Sequence, residues 1–301
     1  MSIQLFVFDK IIRLMAKRRF QKNPDVYLLR PFMAQAAQRP AKVPAHVALS
    51  ETSLGGVRTE TLVPQGADMA KALLYIHGGG WVAGAPLNHR ALTWRLADKL
   101  AIPVYAVDYR LAPEHPFPAG LEDCVAAYRA LLEKGIAPSG ILIGGDSAGG
   151  NLTLATALKL KALGLPQPAG LICLSPSTEL ATTTPAHKEN ARRDAMFVPA
   201  MFGTVKAHYF PDSDGTDPFI SPLRGDVSGL PPVLFQCSGD EMLRDDSVLM
   251  AKKLGDAGVP ATLQVWPRVF HVWQIMADAL PEARRAIDDI VTFAKARLAA
   301  S

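Results

Sequence analysis

The sequence predicts an α/β fold with a mostly parallel central sheet and helices on both faces. Three observations support this. Short apolar runs recur from residue 72 onward. They are close to continuously apolar, as strands covered on both faces must be. Between them lie helical stretches long enough to cross over between parallel neighbours.

Taken in order, the first 45 residues look helical and end in a stretch spaced by Pro40 and Pro44. Runs near 46–50 and 57–63 read as two strands of an antiparallel edge. Buried strands are then expected at Ala72-Leu73-Leu74-Tyr75-Ile76, at 104–107, 141–143 and 171–174, and at 233–237 and 263–266. Helices are expected over about 88–101, 117–134, 147–163, 245–257 and 282–298. Residues 178–222 break the alternation. They are rich in Thr, Pro, Asp and Gly, carry one short helical piece near 199–209, and read as an insertion between two core strands. A length of 301 residues suggests two domains at about 150 residues each, but an α/β fold holds it as one domain plus an insertion.

Composition narrows the function. Apolar residues at 49% and charged ones at 20% exclude a disordered chain. A net charge of +4 is too small and too dispersed for a nucleic-acid footprint. The one basic cluster, Lys17-Arg18-Arg19 with Lys22, reads as a solvated helix end. Three cysteines, Cys124, Cys173 and Cys237, are an odd number in mostly apolar settings. They argue against a disulfide framework and fit a reducing, cytoplasmic compartment. No Cys/His spacing suits zinc, so no metal is expected.

No run reaches the ~18 apolar residues of a membrane span. Asp9, Lys10 and Arg13 interrupt the N-terminal apolar residues, unlike a signal peptide. Ile3, Phe6, Phe8, Ile11, Ile12, Leu14 and Met15 fall mostly on one helical face. That face is expected to dock on its own protein, with a membrane-surface helix as the alternative.

The chemistry is concentrated in three places. Gly145-Asp146-Ser147-Ala148-Gly149 follows a buried strand and opens a helix. This is Gly-x-Ser-x-Gly in the strand-turn-helix context that a nucleophile elbow requires. So sharp a turn needs small neighbours and lifts the Ser147 hydroxyl above the sheet. A phosphate loop would need Gly-Lys-Ser/Thr after it, and Gly150-Asn151-Leu152 does not supply that. His77-Gly78-Gly79-Gly80 follows the strand 72–76, where glycine amides can form a donor site for a developing oxyanion.

The third place is the base and its acid. In an α/β hydrolase the order is Ser, acid, His, which selects His271 after the last strand from seven histidines. The acid should follow the strand 233–237, where Asp240, Glu241, Asp245 and Asp246 all lie. The residues alone leave Asp240 and Glu241 open.

From about His46 onward the chain resembles the hormone-sensitive-lipase-like family of α/β-hydrolase esterases. The motifs that carry the resemblance are His77-Gly78-Gly79-Gly80, Gly145-Asp146-Ser147-Ala148-Gly149 and Asp108-Tyr109-Arg110-Leu111-Ala112-Pro113-Glu114. The resemblance implies an α/β-hydrolase catalytic domain over 46–301, with residues 1–45 and the insertion at about 178–222 forming a helical cap. It implies oxyanion donors at the amides of Gly79, Gly80 and Ala148. It implies that Tyr109 to Glu114 buttress the active-site loops rather than react.

Aligning Leu243-Arg244-Asp245 with the family's Leu-x-Asp places the acid at Glu241, 30 positions before His271, with Met242 where proline is usual. The resemblance thus implies a catalytic set of Ser147, His271 and Glu241, with Asp240 as the alternative acid and no metal or organic cofactor.

The expected activity is serine carboxylesterase action on short- to medium-chain acyl esters. A lactone or amide hydrolase with the same triad is the alternative, and a non-catalytic small-molecule binder a more distant one. Phe6, Phe8, Phe32, Met33, Met196, Phe197, Met201 and Phe202 are candidates for the walls of an apolar pocket. The resemblance also implies that the last strand and helix, about 261–298, can pair edge to edge in a homodimer, though nothing in the residues demands it.

Overall fold

A computed structural model describes residues 2–299. The chain begins with helix α1 (Ile3–Ile12), which runs through a π-helical turn (Arg13–Lys17) into α2 (Arg18–Lys22). Ser2 caps α1: its hydroxyl accepts from the Leu5 amide, and its own N–H and O–H donate to Glu282 at 2.7 and 2.8 Å. Helix α3 (Leu29–Ala36) follows a 3₁₀ turn.

The hairpin β1 (Val47–Leu54) and β2 (Val57–Pro64) pairs antiparallel. Then come β3 (Ala72–Ile76), α4 (Arg90–Leu100), β4 (Val104–Val107), α5 (Ala119–Glu133), β5 (Ile141–Asp146), α6 (Ala148–Ala162) and β6 (Gly170–Leu174). After β6 the short α7 (Pro185–Glu189) and α8 (Ala200–Tyr209) interrupt the alternation. The chain closes with β7 (Val233–Ser238), α9 (Arg244–Asp256), β8 (Ala261–Trp266) and α10 (Pro281–Leu298).

Among the described residues eight strands form one sheet, in the order β1-β2-β4-β3-β5-β6-β7-β8. From β4 to β8 all neighbours are parallel, and β2 joins β4 antiparallel. The expected α/β architecture is therefore present, with its antiparallel edge at the hairpin.

Strands β3 to β7 are buried along their whole length. Successive side chains split between two cores, as the two-residue period of a strand demands. Leu74, Ile76 and Ile143 pack on one face with Cys124 of α5 and Leu152 of α6. Leu73, Tyr75 and Leu142 pack on the other with Leu92 and Leu96 of α4 and Ile287 and Ile290 of α10. All three cysteines are free and buried. Strand β8 differs: it is the edge opposite β1, and Leu263 and Val265 are exposed there.

The N-terminal helices and the segment around α7 and α8 are tied together. Val26 N donates to Thr204 Oγ1 at 3.0 Å, and His208 Nε2 stands 2.8 Å from Asp25 Oδ1. Arg30 of α3 donates to the carbonyls of Val82 and Ala112 and forms a fork with both Glu114 oxygens.

The basic cluster corrects one expectation. Lys17 is not solvated: it is only 9% exposed, and its Nζ donates to the carbonyls of Ala191 at 2.8 Å, Arg192 at 3.2 Å and Asp194 at 2.6 Å. Arg13 donates to the carbonyls of Arg192, Arg193 and Asp194 from the same helix. The π-helical turn places both cations over this one turn of chain. Burial lowers the Lys17 pKa, and the charge of Asp194 opposes that shift. Only Arg18, Arg19 and Lys22 of the cluster face solvent.

The N-terminal apolar residues also divide. Leu5 and Ala16 are buried, and Phe8 and Ile12 pack against the core. Ile3, Phe6, Ile11, Leu14 and Met15 point outward. Docking on the protein uses one face of the helix, and an apolar face remains uncovered. Among the described residues no helix is long and apolar enough to cross a membrane.

Candidate active site

Ser147 sits between β5 and α6 with φ 53° and ψ −118°. A positive φ is strained for a residue with a Cβ, and such strain persists only where surrounding structure enforces it. The enforcement comes from the neighbours. A Cβ on Gly145 would lie 2.5 Å from the backbone oxygens of Gly149 and Ile76. A Cβ on Gly149 would lie 2.0 Å from Ile76 O and 2.6 Å from His77 O. Both obstacles are backbone, so the chain must shift to admit a methyl. Gly149→Ala is expected to destabilise the protein by about 1–3 kcal/mol. A fall in the urea midpoint with an unchanged slope would show it; an unchanged midpoint would contradict it.

The glycine loop after β3 is held from beneath. Asp146 is buried and accepts from Tyr75 Oη at 2.7 Å and from Gly78 N at 3.1 Å, while His89 Nε2 stands 3.3 Å from its Oδ2. Burial alone would raise the Asp146 pKa, but His89 beside it, with hydrogen bonds from His89 and Tyr75, holds it below the usual carboxylate range. His77 is pushed down to about 4 by burial, with the His89 charge adding to the effect, and so stays neutral at pH 7. Tyr109 Oη donates to His77 O at 3.0 Å and its ring stacks on His77. Arg110 binds Asp123, and Glu114 binds Arg30. The 109–114 stretch therefore supports the loop without entering the pocket.

Gly78 spends its amide on Asp146. Among the described residues, the amides of Gly79 and Gly80 have no acceptor within the protein. Gly79 and Gly80 take φ 129° and 63°, which point these amides away from regular pairing. Ala148 is the first residue of α6, and its N–H is one of those a helix leaves unpaired.

His271 lies in the loop between β8 and α10 and is buried. Its Nδ1 is 2.5 Å from Glu241 Oε2. The other Glu241 oxygen accepts from Ser175 Oγ at 2.8 Å and Ser238 N at 2.7 Å. Among the four acids that follow the strand 233–237, the structure brings Glu241 to His271. Asp245 accepts instead from Ala186 N, Asp246 from the amides of Thr178 and Glu179, and Asp240 is only half-buried.

Residues 190–197 brace this arrangement through partners distant in the chain. Asn190 Nδ2 donates to Gly239 O at 3.0 Å and Glu241 O at 2.8 Å. Asp194 accepts from Met242 N at 2.8 Å and from the amides of Met196 and Phe197. The Phe197 ring lies 4.6 Å from the His271 ring. The only local trace was the Asp194-x-Met196-Phe197 spacing of an Asx turn.

Ser147, His271, Gly78, Gly79 and Gly80 line one cavity of about 150 Å³. Phe32, Met33, Met196, Phe197, Met201 and Phe202 line it as expected, joined by Met15 and Phe20. Phe6 and Phe8 do not: Phe6 faces outward, and Phe8 packs against the α4–α10 core.

Comparison with known proteins agrees with the fold. Residues 73–275 match the family described as alpha/beta hydrolase fold. An acetyl-hydrolase of Streptomyces hygroscopicus is 39% identical over 236 residues, 78% of this chain and 79% of that protein. The crystal structure of a hormone-sensitive lipase from a metagenome library superposes with a TM-score of 0.92 at 38% identity, covering 99% of each chain. An esterase whose crystal was soaked with p-nitrophenyl butyrate superposes with a TM-score of 0.92 at 34% identity, covering 99% of this chain and 100% of that one. The fold is thus that of an α/β hydrolase. Within that class the chain belongs to the hormone-sensitive-lipase-like family of esterases, and it is an ester hydrolase.

Proposed function

We propose that the chain is a serine carboxylesterase for short- to medium-chain acyl esters, working through Ser147, His271 and Glu241. The observation that carries this reading is the meeting of Ser147, His271 and the unpaired glycine amides in one apolar cavity, with His271 Nδ1 held by Glu241. Holding Nδ1–H on a carboxylate leaves Nε2 as the acceptor for the serine proton.

Ser147 Oγ attacks the acyl carbonyl as His271 Nε2 takes its proton. The oxyanion that forms accepts from the amides of Gly79, Gly80 and Ala148, each such donor being typically worth about 10²–10³ in rate. Collapse breaks the bond to the alcohol, which leaves with the proton from His271. Water, deprotonated by His271, then attacks the acyl-serine, and Ser147 recovers its proton as the acid is released.

Residues 1–45 and about 178–222 act as a cap, because both supply wall residues to the cavity. The walls are mostly apolar, with Phe and Met side chains beside Leu, Val and Ile, and suit an alkyl or aryl group. A cavity near 150 Å³ accepts a ligand the size of benzene, which favours acyl chains of a few carbons. The esterase soaked with p-nitrophenyl butyrate lends the same support. Three buried thiols fit a cytoplasmic setting, and the apolar edge at β8 fits a homodimer.

Hydrolysis of p-nitrophenyl esters from two to sixteen acyl carbons tests the proposal. Turnover is expected to peak at short or medium chains and fall steeply beyond. A maximum at the longest chains would overturn the size argument. A folded protein inert on every ester would redirect the reading to lactones or amides.

A further inference from the structure

The outer face of the first helix has no role in the cavity chemistry. Among the described residues twelve large apolar side chains are exposed, and six of them are Ile3, Phe6, Val7, Ile11, Leu14 and Met15. Their exposures run from 43% to 81%. Half of the exposed large apolar groups thus lie on thirteen consecutive residues. Spacings of three and four residues (3, 7, 11, 14) put them on one side of a helix.

The strip is held rigidly outward. The opposite side is fixed by buried Leu5 and Ala16, by the bonds from Ser2 to Glu282, and by Arg13 and Lys17 on the 191–194 carbonyls.

The charge around the strip has one sign. Residues 1–22 contain six basic residues, Lys10, Arg13, Lys17, Arg18, Arg19 and Lys22, and one acid, Asp9. Asp9 is taken by Arg13. Lys10, Arg18, Arg19 and Lys22 are exposed and make no ion pair among the described residues, and Lys10 lies over the Phe6 ring. Exposed Arg192 and Arg193, whose carbonyls bind Arg13, add to the same side.

We propose that this face seats on the surface of an anionic lipid bilayer. An apolar strip bordered by unpaired cations matches the acyl boundary and the headgroup charge together. A second copy of the chain is disfavoured, because stacking two such faces brings like charges together. The strip is also continuous with the cavity: Met15 belongs to both, and exposed Arg19 lines the cavity too. Docking therefore opens the pocket mouth toward the bilayer, where apolar esters concentrate. This delivery role rests on the esterase reading; the docking does not.

Co-sedimentation with vesicles tests the docking. The full chain is expected to pellet with phosphatidylcholine vesicles containing phosphatidylglycerol. Partitioning onto phosphatidylcholine alone is expected to be lower by about tenfold or more, since each exposed cation near an anionic surface adds to the binding. Added salt should weaken the anionic binding. The double variant Val7→Glu/Leu14→Glu is expected to lose most of the binding while hydrolysing soluble p-nitrophenyl acetate like the parent. Three results would each overturn the proposal: no pelleting on anionic vesicles, equal pelleting of the double variant, or a dimer in sedimentation velocity that the double variant abolishes. Failure of the esterase reading would show separately, as loss of hydrolysis in the parent protein.

Discussion

Ser147→Ala is expected to lower kcat on a short p-nitrophenyl ester by a factor on the order of 10⁶, the loss typical when such a nucleophile is removed. The expectation is specific because the variant keeps everything else. Alanine occupies the same strained φ of 53° with the same Cβ, so the elbow is not relaxed. The Ser147 amide still donates to Leu174 O at 2.8 Å, and Gly145 and Gly149 still pack against β3. The urea midpoint should therefore stay near that of the parent. Residual rate above water, about 10³–10⁴, is expected from the oxyanion donors and binding alone. A fluorophosphonate probe should label the parent at Ser147 and not the variant. A variant retaining more than roughly a hundredth of the parent kcat would remove Ser147 from the proposed mechanism.

What could be read in the sequence, and what could not, follows from the range of the interactions. The elements of the sheet announce themselves locally. A run such as Leu73-Leu74-Tyr75-Ile76 is apolar at successive positions because both faces are covered, and that pattern needs no knowledge of the partner strand. The elbow is equally local, since Gly145 and Gly149 flank Ser147 within five residues. Even β8, expected as a buried strand, shows the limit of this reading: its apolar residues Leu263 and Val265 lie exposed at the sheet edge. Composition reports that a segment is a strand but not where it stands in the order.

The bracing of the site was not legible, because it is built from pairs far apart in sequence. Lys17 reaches Asp194 O across 177 positions, and Met242 reaches Asp194 across 48. Nothing about Lys17 within Lys17-Arg18-Arg19 distinguishes it from its neighbours until the π-helical turn aims it inward. The chain from Asn190 to Phe197 thereby links three things: the N-terminal helix, the loop that carries Glu241, and the ring against His271. The same long-range character governs Phe6 and Phe8, which lie outside the cavity. Their aromaticity was visible, but their direction depends on which side of α1 meets the core.

Glu241→Gln is expected to lower kcat by about 10⁴ with little change in fold, the cost typical of losing the carboxylate beside the base. The mechanism of the loss is a tautomer. In the parent, one Glu241 oxygen accepts from Ser175 Oγ and Ser238 N, and the other stands 2.5 Å from His271 Nδ1. The Ser238 amide can only donate, so the glutamine oxygen must face it. That turns the amide NH₂ toward His271 and makes Nδ1 an acceptor. The imidazole proton then sits on Nε2, which can no longer take the proton of Ser147. The opposite flip would restore the His271 tautomer but set NH₂ against the Ser238 N–H in a buried site, at about 1–3 kcal/mol, and a neutral amide would still leave the imidazolium that forms on His271 without its counter-charge. Asp240→Asn breaks none of this: Asp240 is half-buried, and its amide, not its carboxylate, contacts Ser238. Its kcat should stay near the parent value. A steep loss in Asp240→Asn with little loss in Glu241→Gln would move the acid to Asp240. It would also mean that the loop rearranges when substrate binds, since among the described residues the carboxylate at His271 Nδ1 is that of Glu241.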